Sequence, residues 1–159
     1  MMAAMTVGCS DGKPADFPAV SPLTITVTDA GAPVADAIVT LYPQGAKLGS
    51  CGIGGVTDAQ GVVEVMTSMS GYQGSGCPEG KFKITVVKEP IYPSQLPQDQ
   101  VNQMTPEESS AYAKKLDDER ATTPRPIPNT LESLGKTPLL IDVKSGEENK
   151  LDVNIAEYK

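Results

Sequence analysis

Leu23, Ile25 and Val27 alternate with Thr24, Thr26 and Thr28, and this period of two recurs along the chain. Side chains two apart share one face of a strand, so each such run can bury one face and leave the other in water. Comparable short runs fall at 37–42, 53–57, 62–66, 82–86, 139–143 and 151–155. Turn-forming residues separate them, as in Asp29-Ala30-Gly31-Ala32-Pro33, Asp58-Ala59-Gln60-Gly61, Glu79-Gly80 and Ser145-Gly146. Seven short strands punctuated this way predict an all-β fold, a seven-stranded antiparallel sandwich. The 15 glycines and 14 prolines suit its turns and exclude a helical bundle.

Residues 88–137 break the alternation. Seven prolines, from Pro90 to Pro128, leave no room for an interior strand. Thr105-Pro106-Glu107-Glu108 sets Thr at an N-cap, Pro at the first helical position and Glu three residues after the cap. This capping box predicts a helix over about 106–120. Tyr112 and Leu116 form its narrow apolar face and most other positions are polar or charged. The segment reads as a long Pro-rich insertion with one short helix, either a solvated excursion along the sandwich edge or a partner-binding arm.

The chain has no histidine, which removes His-based acid–base chemistry, Ser-His-Asp triads and most zinc sites. Thirteen basic against 20 acidic residues give a net charge of −7, unsuited to a phosphate backbone, so no nucleic-acid partner is expected. No apolar run reaches the roughly 18 residues of a membrane-spanning helix.

Val7-Gly8-Cys9-Ser10 resembles the end of a bacterial lipoprotein signal, in which the cysteine is lipidated after cleavage before it. Only eight uncharged residues precede Cys9, short of a full secretory signal. Residues 1–9 are read as a possible remnant of such a signal, with Cys9 the lipidation site. Residues 10–21, rich in small residues, are read as a flexible tether. Two more cysteines, Cys51 and Cys77, lie in glycine-rich turns. An odd total of three is explained if Cys9 is lipidated and Cys51 pairs with Cys77. An exported location permits that disulfide, which would stabilise the fold by roughly 3–4 kcal/mol. The alternatives are two free thiols, or a metal pair lacking two further ligands.

Three stretches carry a family resemblance. The run from Leu23 to Pro43 resembles the opening of a carboxypeptidase regulatory-like domain, a strand followed by G-x-P-V-x-G-A-x-V-x-L, with Asp36 where the pattern has Gly. Thr57-Asp58-Ala59-Gln60-Gly61-Val62-Val63 resembles T-D-x-x-G-x-F. Pro78 to Val86 resembles P-G-x-Y-x-V-x-V. The insertion, Ile127-Pro128-Asn129 and the stretch from Lys136 to Asn149 resemble small planctomycete-type lipoproteins carrying this domain alone. The resemblance spans roughly residues 22–156. It implies a prealbumin-like or Ig-like Greek-key sandwich and says almost nothing of activity. Hydrolases and dioxygenases of related architecture rely on histidines that are missing here.

Other chemistry finds little support. Asp117-Asp118-Glu119 and Glu147-Glu148 read as solvated surface. Asp29, Asp36 and Asp58 all lie in turns, but a calcium site needs converging oxygens, and Asp58 suits its own turn better. Lys81 and Lys83 alternate away from Phe82 and Ile84, which argues against a covalent bond to Asn154. The glycine-rich 49–55 stretch lacks the Lys-Ser/Thr ending of a phosphate loop. The expectation is a non-catalytic, extracytoplasmic, membrane-anchored lipoprotein domain without cofactor or metal. It would serve as a structural or protein-interaction module, with an envelope protein or polysaccharide as partner. A carbohydrate- or peptide-binding module is the alternative, and would need clustering among Tyr42, Tyr72, Tyr92, Tyr112 and Tyr158. A thiol- or carboxylate-dependent enzyme is the remaining alternative.

Overall fold

The computed structural model describes residues 12–45, 48 and 50–159. The strands are β1 (Val20–Ser21), β2 (Leu23–Asp29), β3 (Ala32–Pro33), β4 (Ile38–Pro43), β5 (Gly52–Val56), β6 (Val62–Glu64), β7 (Met66–Met69), β8 (Tyr72–Ser75), β9 (Cys77–Pro78), β10 (Gly80–Val87), β11 (Leu140–Val143) and β12 (Asn149–Asn154). Helices α1 (Gln98–Val101), α2 (Pro106–Thr122) and α3 (Asn129–Glu132) lie between β10 and β11, and a 3-10 turn (Ile155–Tyr158) follows β12.

The fold is mostly β, with strand in each expected run, but 62–66 divides between β6 and β7, and β1, β3, β8 and β9 bring the described segments to twelve. One sheet runs β11-β10-β4-β5-β7-β8. A second runs β12-β2-β3, with β6 also on β2, and β1 pairs with β9. The described ladders are antiparallel with one exception: β12 lies parallel to β2 over six residues, Asn149 opposite Leu23 to Asn154 opposite Thr28. The expected run 62–66 divides at Val65. The chain there passes from β6, paired with β2, to β7, paired with β5. The Val65 N–H donates to the Leu23 carbonyl, and its own carbonyl accepts from Gly76, so the crossing leaves no backbone group unpaired.

The alternation does what its period requires. Leu23, Ile25 and Val27 of β2 are buried, as are Val39 and Leu41 of β4 and Phe82, Ile84 and Val86 of β10, all in one core between the two sheets. Each fully buried aliphatic side chain contributes roughly 1.5–3 kcal/mol relative to exposure. Lys81, on the other face of β10, is exposed.

Two hairpins close on two-residue loops, Ala30-Gly31 and Ser70-Gly71. All four residues have positive φ, at 49°, 87°, 51° and 83°, the pattern of the primed turns that match strand twist. Between β5 and β6, Asp58 Oδ1 accepts from the N–H groups of Gln60 and Val62, each at 2.9 Å. Gly61 is obligatory there: φ is 74°, and a Cβ would stand 2.4 Å from the Val27 carbonyl oxygen.

Two expectations about chain organisation change. Of the expected 10–21 tether, residues 10 and 11 lie outside the described residues, as do Cys9 and the whole 1–9 segment. The part that is described is docked. Phe17 is buried, stands edge-on to Tyr72 at 4.8 Å and covers Gly74, while Ser21 pairs with Cys77. One aromatic side chain with a pocket to fill outweighs the small residues around it. The 88–137 insertion also is not wholly outside the sandwich. Ile127 and Leu131 are fully buried in the core, and Thr137 Oγ1 donates to the Ile84 carbonyl at 2.7 Å.

The register gives the molecule two distinct ends. The starts of β2, β10 and β12 lie at one, with the segment from Phe17 to Ser21. The ends of those strands, the turn at Asp58 and the 3-10 turn lie at the other. The 88–126 arm leaves from this second end.

Candidate functional site

Prolines 90, 93 and 97 keep the chain beyond β10 out of strand and helix, with one turn at Pro93-Ser94 closed by Gln95 N on the Tyr92 carbonyl at 3.0 Å, and Lys88 ties its root to the sandwich by donating to the Ala35 carbonyl at 2.6 Å. Helix α2 forms as its capping box dictates. Thr105 Oγ1 accepts from Glu108 N, and the Glu108 carboxylate accepts from Thr105 N at 2.8 Å. These bonds hold the Glu108 carboxyl below its ordinary value. No residue of α2 is fully buried.

Helix α2 packs on this proline-rich segment through the face the sequence marks. Tyr112 Oη accepts from Leu96 N at 3.0 Å and the Glu119 carboxylate accepts from Ser94 N at 3.2 Å. At the next residue, the Arg120 guanidinium lies 5.8 Å from the centre of the Tyr92 ring, a cation–π distance. Side-chain acceptors thus satisfy backbone donors of a segment that has no strand partner.

Two joined cavities lie along this packing. One, of about 350 Å³, is lined by Lys88, Glu89, Tyr92, Arg120, Arg125 and Glu132, with Val87, Pro90 and Thr123. The next, of about 280 Å³, shares Glu89, Pro90, Tyr92 and Arg120 with it and continues to Leu96, Val101, Tyr112 and Leu116. Arg125 pairs with Glu132, and Arg120 with Asp117 at 3.2 Å. Two of the five tyrosines therefore meet in one cleft. Tyr72 packs under Phe17, Tyr158 rests on the core, and Tyr42 stands opposite Lys83 on the outer sheet face.

The sulfur residues differ from expectation. Cys51 and Cys77 are both free thiols, so the expected disulfide is not formed. The strand register explains it. Cys51 precedes Gly52, which faces Ser68, so it is level with Met69, whose sulfur lies 3.5 Å from its own. Gly76, next to Cys77, bonds to Val65. Four residues of strand separate those levels, roughly 13 Å at about 3.3 Å per residue, beyond the ~7 Å that a bridge between Cα atoms spans. Cys77 is fully buried, and desolvation pushes its thiol up to about 12. A thiol so placed is no nucleophile near neutral pH.

The three aspartates considered for calcium serve other ends. Asp58 caps its turn, Asp29 pairs with Lys159 at 2.6 Å, and Asp36 sits at a φ of 56°. No cluster of three or more Cys, Asp or Glu side chains converges among the described residues. Asn154 bonds to the Ala30 and Ala156 N–H groups at the end of β12, in the other sheet from Lys81 and Lys83. The arginines were not singled out by spacing or motif. The signal was scarcity: Arg120 and Arg125 are the two arginines in 159 residues, five apart in sequence, and they line one cavity.

No protein-family model matches this chain, and no curated protein matches it either. No described helix is long and apolar enough to cross a membrane.

Proposed function

We propose that this is a non-catalytic, extracytoplasmic lipoprotein domain of the carboxypeptidase regulatory-like, prealbumin-like Greek-key type, and that it serves as a protein-interaction module at the cell envelope. Cys9 carries the lipid, and the 88–126 arm presents the binding surface. The observation that carries the reading is the cleft between the proline-rich segment and α2, set at the end of the sandwich opposite Phe17. Two details support the family part. Asp36 occupies the left-handed backbone position that a pattern glycine would fill, and Thr57, Asp58 and Gly61 build the turn that T-D-x-x-G describes.

A photo-crosslinking residue at Ile91, which is 85% exposed on the arm, tests the interaction. It is expected to capture a defined envelope protein in living cells, whereas the same probe at Gln73 on β8 captures none. Equal labelling from both positions would count against the arm. In parallel, Cys9→Ala should move the protein from the membrane to the soluble fraction, and a variant that stays on the membrane would remove the lipid anchor from the reading. The meeting of Tyr92 and Tyr112 in one cleft favours a second reading, a carbohydrate-binding module.

A further inference from the structure

We propose that the cleft binds an acidic peptide segment, taking its carboxylate at Arg120 and Arg125 and the adjacent apolar side chain against Leu96, Val101 and Leu116. This rests on the arm being the interaction surface, and it names the occupant.

Charge is the first argument. The chain is net −7, yet the larger cavity gathers three cations, Lys88, Arg120 and Arg125, against two carboxylates, Glu89 and Glu132. Asp117, outside that lining, draws on Arg120 through an exposed pair, so the cavity suits a single carboxylate better than a dianionic phosphate. Donor capacity is the second. A guanidinium has five N–H donors. Arg125 gives Nη1 to Glu132, and Arg120 gives Nη1 to Asp117 in a pair exposed on both sides, which holds weakly. Both forks retain donors for a bidentate carboxylate. Tyr92 lies beneath Arg120, limiting where its guanidinium can sit and so the ordering cost of binding.

The second cavity bears on the ligand class. It continues from Arg120 and Tyr92 between the amides of Gln95 and Gln98 and the aliphatic side chains of Leu96, Val101 and Leu116. A peptide places an apolar side chain one residue from a carboxylate. Its backbone amides also suit Gln95 and Gln98, whereas an acidic sugar carries hydroxyl groups on every side of its ring and would set some of them against the aliphatic side chains.

With two arginines in the chain, the side-chain Nε–H region of a 15N spectrum holds two signals, and each reports on the cleft. The probes are Ac-Gly-Leu-Glu-Gly-amide, its Gln counterpart and trigalacturonate. The Glu peptide is expected to shift both arginine signals and the methyls of Leu96 and Leu116, and to bind at least about tenfold more tightly than the Gln peptide, or about 1.4 kcal/mol. Arg120→Gln and Arg125→Gln should each weaken it about fivefold or more with amide dispersion unchanged. Equal affinity for the two peptides would overturn the proposal. So would trigalacturonate moving the arginine signals while the peptide leaves them still, or no response to any probe at about 10 mM, where even a Kd of about 1 mM would show. Cross-linking from Ile91 that persists undiminished in Arg120→Gln/Arg125→Gln would also overturn it, while leaving the interaction reading in place.

Discussion

Thr57 shows how much a single hydroxyl can hold. It is buried, donates to the Val34 carbonyl at 2.7 Å and accepts from the Ala37 N–H at 2.9 Å, linking the β5–β6 turn to the 34–37 loop. Thr57→Val keeps the shape and strands both backbone groups, so a loss of about 2–3 kcal/mol is expected by urea denaturation. Asp36 is the reverse case. At a φ of 56° it bears left-handed strain that glycine does not. Asp36→Gly should raise the unfolding free energy read from urea denaturation by up to about 1 kcal/mol after glycine's extra unfolded-state entropy. The cysteines give a third test. Cys51, half-buried, should alkylate in the native protein, and Cys77 only in denaturant, as peptide mapping would show. Cys77 has an ordinary value of 9.0 and a folded value near 12. The folded state therefore holds that proton more tightly. The stability it contributes is complete below about pH 9 and drains away as pH climbs toward 12. Cys77→Ala should flatten that part of the pH–stability curve.

At the scale of elements, α2 stands on its cap rather than on burial. Thr105→Ala should cost the helix about 1 kcal/mol and speed amide exchange across 106–112, leaving the exchange of β10 unchanged. Because the Thr105 bonds lower the Glu108 pKa, the first turn keeps their stabilisation above about pH 4.5 and loses it on acidification below that. This helix was legible in the sequence because its cap is local chemistry, and the seven main strands because alternation is local too. Segments 72–75 and 77–78 were not. Gly74 and Gly76 interrupt any alternation: 72–75 pairs with β7 across the Ser70-Gly71 turn and is covered by Phe17, and 77–78 pairs with Val20 and Ser21, the last two contacts made from 55 or more residues away. Ile127 and Leu131 were hidden in the same way, two apolar residues in a proline-rich stretch whose burial depends on a gap in the core. The cleft was half legible. Tyr112 and Leu116 marked the helix face, but only the folded chain brings Tyr92, Arg120 and Arg125 together.

At the scale of the whole molecule, the second sheet depends on a pairing between distant parts of the chain. Strand β2 has β6 beside it, but its parallel neighbour β12 begins at Asn149. Val153 and Ile155 complete the core, and Asn149 bonds to the carbonyls of Pro22, Lys144 and Glu147. Removing residues 149–159 should abolish cooperative unfolding rather than shave the stability, as measured by near-UV circular dichroism and a urea titration. A truncated chain with a sharp transition would contradict that. The timing of synthesis follows from the same pairing. The second sheet cannot close until the stretch beginning at Asn149 has followed the stretch beginning at Leu23 out of the ribosome, so β2 waits for a neighbour made long after it.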